Sequence, residues 1–178
     1  DGEEWERPAS VELLNPDGSE GFQINSGLRI RGGYSRNGWF KKHAFRLFFR
    51  KEYGEGKLDF PLFENEGVSS FDKVDLRCAQ NYSWSKGTSE APYYTFTRDV
   101  FSRDIQKFMN QPYTRSRYYH LYINGLYWGL YQTQERSEAR FAESYLGGSK
   151  EDYDVIKKDG ATDGNDSAWR ELWDYCVS

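Results

Sequence analysis

Apolar and polar positions alternate with period two through much of the first half of the chain, which reads as a series of strands. Val11-Glu12-Leu13-Leu14 and Gly21-Phe22-Gln23-Ile24 flank Asn15-Pro16-Asp17-Gly18, a sequence that marks a tight turn. Leu28 to Arg31 alternates cleanly and sets Arg29 and Arg31 on the face opposite Leu28 and Ile30. From Ala44 to Phe49, the side chains of Phe45, Leu47 and Phe49 share one face and Arg46 takes the other. Glycines, Ser35 and Asn37 fill the connection, so two strands joined by a basic loop are expected. Val74-Asp75-Leu76-Arg77-Cys78 repeats the pattern, with Arg77 on the polar face.

The period then changes. Between Thr97 and Asn110, the residues Val100, Phe101, Ile105, Phe108 and Met109 form one helical stripe, with Thr97 as the expected cap and Asp99 in the first turn. Tyr118-Tyr119-His120-Leu121-Tyr122-Ile123 and Leu126-Tyr127-Trp128-Gly129-Leu130-Tyr131 follow, separated only by Asn124-Gly125. Asn-Gly between two such runs signals a β-hairpin. Both of its faces are apolar or aromatic, so a central ribbon covered on two sides is expected. Ser137 is the expected cap of a short helix through Leu146, closed by Gly147-Gly148. Tyr153 to Lys157 reads as a strand, and Ser167 caps a final helix with Trp169, Leu172, Trp173 and Cys176 on one face.

Charge changes the picture most. The 178-residue chain is acidic overall, with formal net charge −4, yet the 23 residues from Arg29 to Lys51 hold eight Lys and Arg and no acidic residue. Fixed cations beside glycines and a hydroxyl suit a phosphate site, although a solvated basic face is the plainer alternative. The net acidity argues against a general nucleic-acid binder. Mean hydropathy is −0.91, and no apolar run approaches the roughly 18 residues of a membrane span. Two cysteines, Cys78 and Cys176, both fall on apolar phases and are expected as reduced core thiols, with a long-range disulfide as the alternative. Neither His43 nor His120 has a ligand partner at metal spacing, so no His/Cys metal site is expected. Asp163 and Asp166 lie in a Gly- and Asn-bearing loop and read as solvated rather than metal-binding.

An ordered series of motifs resembles the CotH kinase family. The series runs through Gly27-Leu28-Arg29-Ile30-Arg31-Gly32, Lys41-Lys42-His43-Ala44-Phe45-Arg46, Tyr53-Gly54 and Leu58-Asp59-Phe60-Pro61-Leu62-Phe63. It continues with Leu76-Arg77, Arg98-Asp99, Ile123-Asn124-Gly125, Tyr127-Trp128-Gly129-Leu130-Tyr131 and Glu135, and spans about residues 21 to 158. The family is named for spore coat protein H, an atypical protein kinase, and includes bacterial extracellular and cell-surface proteins. The resemblance implies an α+β, protein-kinase-like fold whose N-lobe is a mostly antiparallel sheet with Thr97–Asn110 as its helix. Residues 1–20 read from composition as an acidic lead-in or the end of a preceding domain, and the resemblance implies an N-lobe at 21–136 with a hinge near Thr133 to Arg136 and the start of a helical C-lobe at 137–178. It implies ATP with Mg or Mn as cofactors and Ser or Thr of a protein as phosphoacceptor. Candidate cofactor-binding residues are Arg31, Ser35, Lys41, Lys42, Arg46, Arg77, Asp99 and Glu135, with Asp99 or Glu135 orienting a cation as the ion pair of ordinary kinases does.

Within the same resemblance, the metal-binding motifs, an Asn-x-Asp loop and an Asp-x-Asp-x-x-Phe-Gly segment, come after the helix that ends here. Nothing from Asp159 to Ser178 matches them. The expectation is therefore the N-terminal half of a catalytic domain, with no catalytic or metal residue of its own and no phosphate transfer alone. The departures are local. His43-Ala44 stands where the family usually has a Ser, and an insertion runs from Asn81-Tyr82 to about Pro92. Three local alternatives stay open: Asp75 or Asp99 as the partner that satisfies Arg46, the same for Arg77, and a helix-capping or structural ion-pair role for Glu135. As a whole, the chain has a second reading as a non-catalytic surface module for an anionic polymer, a glycan or a coat protein. Tyr82 and Trp84 are the aromatics best placed to stack on a sugar.

Overall fold

The computed structural model describes residues 4–79, 83, 89, 91–158 and 160–177. The chain divides into two compact units, 1–135 and 136–178. Among the described residues the architecture is α+β, an antiparallel sheet with three helices.

In the first unit, six strands pair in the order β1-β2-β3-β6-β8-β7. They are β1 (Arg7–Leu13), β2 (Phe22–Arg31), β3 (Ala44–Phe48), β6 (Lys73–Arg77), β7 (Tyr118–Ile123) and β8 (Leu126–Gln134). A small ladder pairs β4 (Leu58–Asp59) with β5 (Ser70–Phe71), and α1 spans Arg98–Phe108. The first turn forms as its sequence implies: Gly18 N–H donates to Asn15 O at 3.0 Å, with Gly18 at φ +76°. Residues 7–13, read from composition as part of a lead-in, thus form the first strand of the sheet.

Side-chain alternation sorts the sheet into two chemically distinct faces. Leu28, Leu47 and Val74 line up across β2, β3 and β6, as do Phe45, Leu76 and Thr133 across β3, β6 and β8. This face carries the core, where Leu47 and Val74 pack with Phe49, Leu58, Leu62, Phe63 and Phe71. A second cluster joins Phe45 to Ala44, Cys78 and Tyr131. Tyr131 is fully buried, stacks on Phe45 at 5.9 Å and donates its hydroxyl to His43 O at 2.8 Å. Burial pushes its phenol pKa far upward, so the hydroxyl stays a donor at any ordinary pH. Tyr131→Phe keeps the ring and strands the carbonyl; we expect a loss of about 1 kcal/mol in urea denaturation.

Four sequence expectations are corrected here. The hairpin Tyr118–Gln134 forms, with Asn124 and Gly125 at φ +51° and +80° as an Asn-Gly turn needs. It is not covered on both sides, however: β7 is an edge strand, and Tyr122, Leu126, Tyr127 and Trp128 are exposed. Tyr and Trp tolerate this because each has a polar atom for water. The stripe on α1 also faces the other way, since Phe101, Ile105, Phe108 and Met109 are all exposed and the buried residue is Arg103. Thr97 holds the N-cap position of α1, but its side chain makes no capping bond; its hydroxyl donates to Thr95 Oγ1 at 3.3 Å instead. Cysteine placement splits: Cys78 is buried, Cys176 is exposed, and both are reduced, as expected.

The second unit contains α2 (Ala139–Leu146), the β9 (Val155–Lys157) and β10 (Gly160–Asp163) ladder, and α3 (Ser167–Val177). Glu138 rather than Ser137 precedes α2, and the Ala139 N–H is capped by Asp163 Oδ2 at 3.2 Å. At α3 the Arg170 N–H donates to Asp166 O, so Asp166 takes the cap position read for Ser167 from sequence, and Ser167 is the first helical residue. No helix among the described residues is long and apolar enough to cross a membrane.

Candidate functional site

The face of the sheet opposite the apolar core is a row of charge. Arg29 on β2, Arg46 on β3, Asp75 on β6 and Gln134 on β8 are successive cross-strand neighbours and so project to the same side. Asp75 is the hub. Arg46 forks onto it with Nε at 2.6 Å and Nη2 at 3.0 Å, and Arg31 Nε reaches its second oxygen at 3.0 Å. One buried carboxylate therefore holds two guanidiniums, and the trio keeps a net positive charge. Phe48 projects to this side too, and the guanidiniums of Arg29, Arg46 and Arg50 lie over its ring at 4.6, 6.0 and 4.5 Å.

At the end of β6 a strand-to-helix pair continues the row. Arg77 Nη2 meets Asp99 of α1 at 2.7 Å, while its Nη1 donates to Gln134 at 3.0 Å. Arg103, one helical turn beyond Asp99, donates to Gln132 at 2.8 Å and to Ser116 at 3.3 Å. Residue 78, next to Arg77, brings in the basic loop: Cys78 Sγ lies 3.6 Å from Lys42 O.

Lys42 differs from the arginines. Its Nζ donates to Leu130 O at 2.7 Å and lies over the rings of Tyr131 and Phe96 at 4.6 and 5.5 Å. No carboxylate pairs with it among the described residues, and burial pulls its pKa below the ordinary lysine value. Its path needs Gly129, at φ +110°, where a Cβ would come within 3.0 Å of Nζ. The loop before it is tied together locally. Gly32, at φ +119°, leaves room for Ser35 Oγ, which lies 2.0 Å from where a Cβ would be, and His43 Nδ1 contacts Ser35 O at 3.1 Å.

Of the residues singled out from sequence, Arg31 and Arg46 converge on Asp75, Arg77 pairs with Asp99, and Lys42 reaches the same end of β6. Lys41 is exposed. Glu135 sits apart from this group. It accepts from Arg115 N at 2.8 Å and from Arg115 Nη1 at 3.2 Å, an ion pair that fastens the end of β8 to the segment before β7. Arg103 was not singled out, although its spacing four residues after Asp99 was a usable signal. Tyr82 and Trp84 lie outside the described residues. Asp163 caps α2 and Asp166 pairs with Arg170 at 2.7 Å, so both are committed to local structure. No group of three or more potential metal ligands occurs among the described residues.

The C-terminal end of α1 is also held by charge. Lys107 Nζ pairs with Glu66 at 2.6 Å, and Arg117 reaches the other oxygen of Glu66 at 3.3 Å. The Lys107 hydrogen bond, then Arg117, hold the Glu66 carboxyl below its ordinary pKa despite partial burial. The unfolded chain therefore takes up this proton first, and the contact's stabilisation is full at neutral pH but lost as pH falls through the folded value. We expect the melting temperature of the wild type to exceed that of Glu66→Gln at pH 7, and the gap to close in acid.

An α+β domain with a cation-rich sheet face braced by a helix is the class these features define. The family profile described as CotH kinase protein matches residues 28–175. The chain belongs to the CotH kinase family. No curated protein matches it significantly.

Proposed function

We propose that this chain forms the nucleotide-binding part of a protein-kinase-like phosphotransferase, one that uses ATP with a divalent metal to phosphorylate Ser or Thr of proteins. Family membership supports the kinase-like part of this reading. The observation that carries the site is Lys42: a half-buried ammonium with no carboxylate partner among the described residues, at the end of β6 where Arg77 is already braced by Asp99. A cation taken partly out of water with no carboxylate partner among the described residues suits an anionic ligand. Arg31 and Arg46 add the surplus positive charge of the Asp75 trio.

In this role Lys42 would contact a phosphate oxygen as a point charge, while Arg77, oriented by Asp99, would present a guanidinium to the same polyphosphate. ATP would supply the phosphoryl group, and a divalent metal bound with it would offset its charge. Lys42, Arg31, Arg46 and Arg77 are the cations this reading assigns to the site, and no cluster of three potential metal ligands stands beside them among the described residues. An extracellular or bacterial cell-surface location, with a coat or surface protein as substrate, belongs to the same proposal.

Titration calorimetry of the chain with AMP, ADP and ATP, with and without MgCl2, tests the site. Affinity that rises with the number of phosphates and falls with salt is the expected result. Equal binding of AMP and ATP, or no binding, would overturn it. A second reading, as a glycan-binding module, is favoured by the exposed hairpin tip. There Tyr122 and Tyr127 pack 5.3 Å apart, and His120 Nδ1 lies 2.9 Å from Tyr127 OH.

A further inference from the structure

A groove of about 380 Å³ opens on the sheet where β1 and β2 run past the end of β3. Pro8 and Ser10 of β1, Asn25 of β2, and Glu52 with Tyr53 in the turn after β3 wall it, with Ala9 and Ser26 between them. Ser10 pairs with Asn25 across the ladder and Pro8 with Gly27, while Gly27 pairs with Phe48. These wall residues therefore share the charged face of the sheet. Asn25 and Arg31 lie about 20 Å apart along β2 by the rise of a strand, so the groove is separate from the Asp75 trio.

The aromatic wall is fixed in place. Tyr53 N–H donates to Arg50 O at 2.9 Å, and the Tyr53 hydroxyl donates to Glu6 Oε1 at 3.0 Å. Gly27 is what lets the ring lie there. A Cβ at that position would stand 2.2 Å from Glu6 Oε1 and 2.6 Å from Tyr53 Cε2, so a larger residue displaces both. Arg50 Nη1 lies 3.1 Å from the same Glu6 oxygen and 3.4 Å from Glu52 Oε1, with its guanidinium over the Phe48 ring. Its charge is thus matched beside the groove. On the other wall, Gln23 Nε2 donates to Ser10 Oγ at 3.3 Å, which leaves the Ser10 hydrogen to be donated onward.

We propose that this groove binds a neutral carbohydrate, a short run of sugar rings with one ring face against Tyr53. A sugar ring presents an apolar C–H face and a rim of hydroxyls that donate and accept. The groove matches both parts. Tyr53 and Pro8 offer apolar ring surface, Ser10 and Asn25 supply donors and acceptors, and Glu52 accepts from hydroxyls. An anion meets no unmatched cation among the lining residues, and an apolar ligand meets too few apolar ones. The volume sits at the small end of ligand pockets, and the fixed ring lowers the ordering cost of binding. The site is also distinct from the aromatic hairpin tip, because β1 and β7 are opposite edges of the sheet. It stands whether or not the phosphate site binds ATP.

Amide NMR of the whole chain, titrated with neutral oligosaccharides of glucose, N-acetylglucosamine, galactose, mannose and xylose in turn, tests this. At least one of them should shift the amides of Ser10, Asn25, Gly27 and Tyr53, with a Kd below about 1 mM. Asn25→Ala and Glu52→Ala truncate exposed side chains and leave the sheet intact. Each should weaken that binding about fivefold, the worth of a lost hydrogen bond. Raising the salt should leave the affinity unchanged, since no charge on the ligand is involved. No shift with any of the sugars, or binding that ignores both truncations, overturns the site. Shifts confined to residues 120–128 overturn it as well and place the sugar on the hairpin tip.

Discussion

Replacing Asp75 with asparagine is expected to lower the unfolding free energy of this protein by about 3 kcal/mol, the low end of the cost of breaking a buried ion pair. Asp75 is 3% exposed and serves Arg46 and Arg31 together, at 2.6 and 3.0 Å. Asparagine keeps the volume and one acceptor oxygen but removes the charge. Arg46, 11% exposed, is then left with no compensation from this residue in a place water barely reaches, whereas Arg31, 28% exposed, rehydrates more easily. Their remaining contacts, including the Phe48 ring beneath Arg46, keep the loss from reaching the upper end of the range. Urea denaturation of the wild type and Asp75→Asn gives the difference directly. A loss under about 1 kcal/mol would mean that the trio is solvated and that the sheet face is not a preorganised cationic surface. The double variant Asp75→Leu with Arg46→Met should lose less than Asp75→Asn, because apolar isosteres leave no charge of this pair unmatched.

The same trio shows what sequence alone could and could not supply. Period two in Leu28–Arg31, Ala44–Phe49 and Val74–Cys78 placed Arg29, Arg31, Arg46 and Arg77 on polar faces, and the register bears this out. Alternation within a strand is a local property, so it survives into the fold. Which cation meets which carboxylate is not local: Arg46 and Asp75 are 29 positions apart, and their pairing depends on β3 lying beside β6. The hairpin tip and α1 misled for another reason. Periodicity reports that a stripe exists, but not whether the surface opposite it is apolar. The sheet offers α1 the cationic and amide side chains of Arg77 and Gln132, so the helix turns its charged side inward. Likewise the Asn-Gly turn fixed the hairpin, but nothing within residues 118–134 says that β7 has no strand on its other side among the described residues.

Lys42→Met is the substitution expected to separate ligand binding from folding. Methionine keeps the apolar stem against Tyr131 and Phe96 and loses the ammonium, along with its hydrogen bond to Leu130 O. Removing a half-buried cation also removes a desolvation cost, so the two effects on stability oppose each other and the net change should stay within about 1 kcal/mol. ATP affinity should fall at least about tenfold, or about 1.4 kcal/mol, if this ammonium contacts the polyphosphate. The pH dependence gives a second signature. Burial lowers the folded pKa of Lys42, so between that value and 10.5 the unfolded chain holds the extra proton, and the wild type gains stability as pH rises while Lys42→Met does not. ATP binding by the wild type should move the opposite way and weaken over the same interval, as the ammonium becomes a neutral amine. A Lys42→Met protein that binds ATP as well as the wild type would remove Lys42 from the site. A protein that loses both ATP affinity and several kcal/mol of stability would instead assign Lys42 to the packing of the loop against β8.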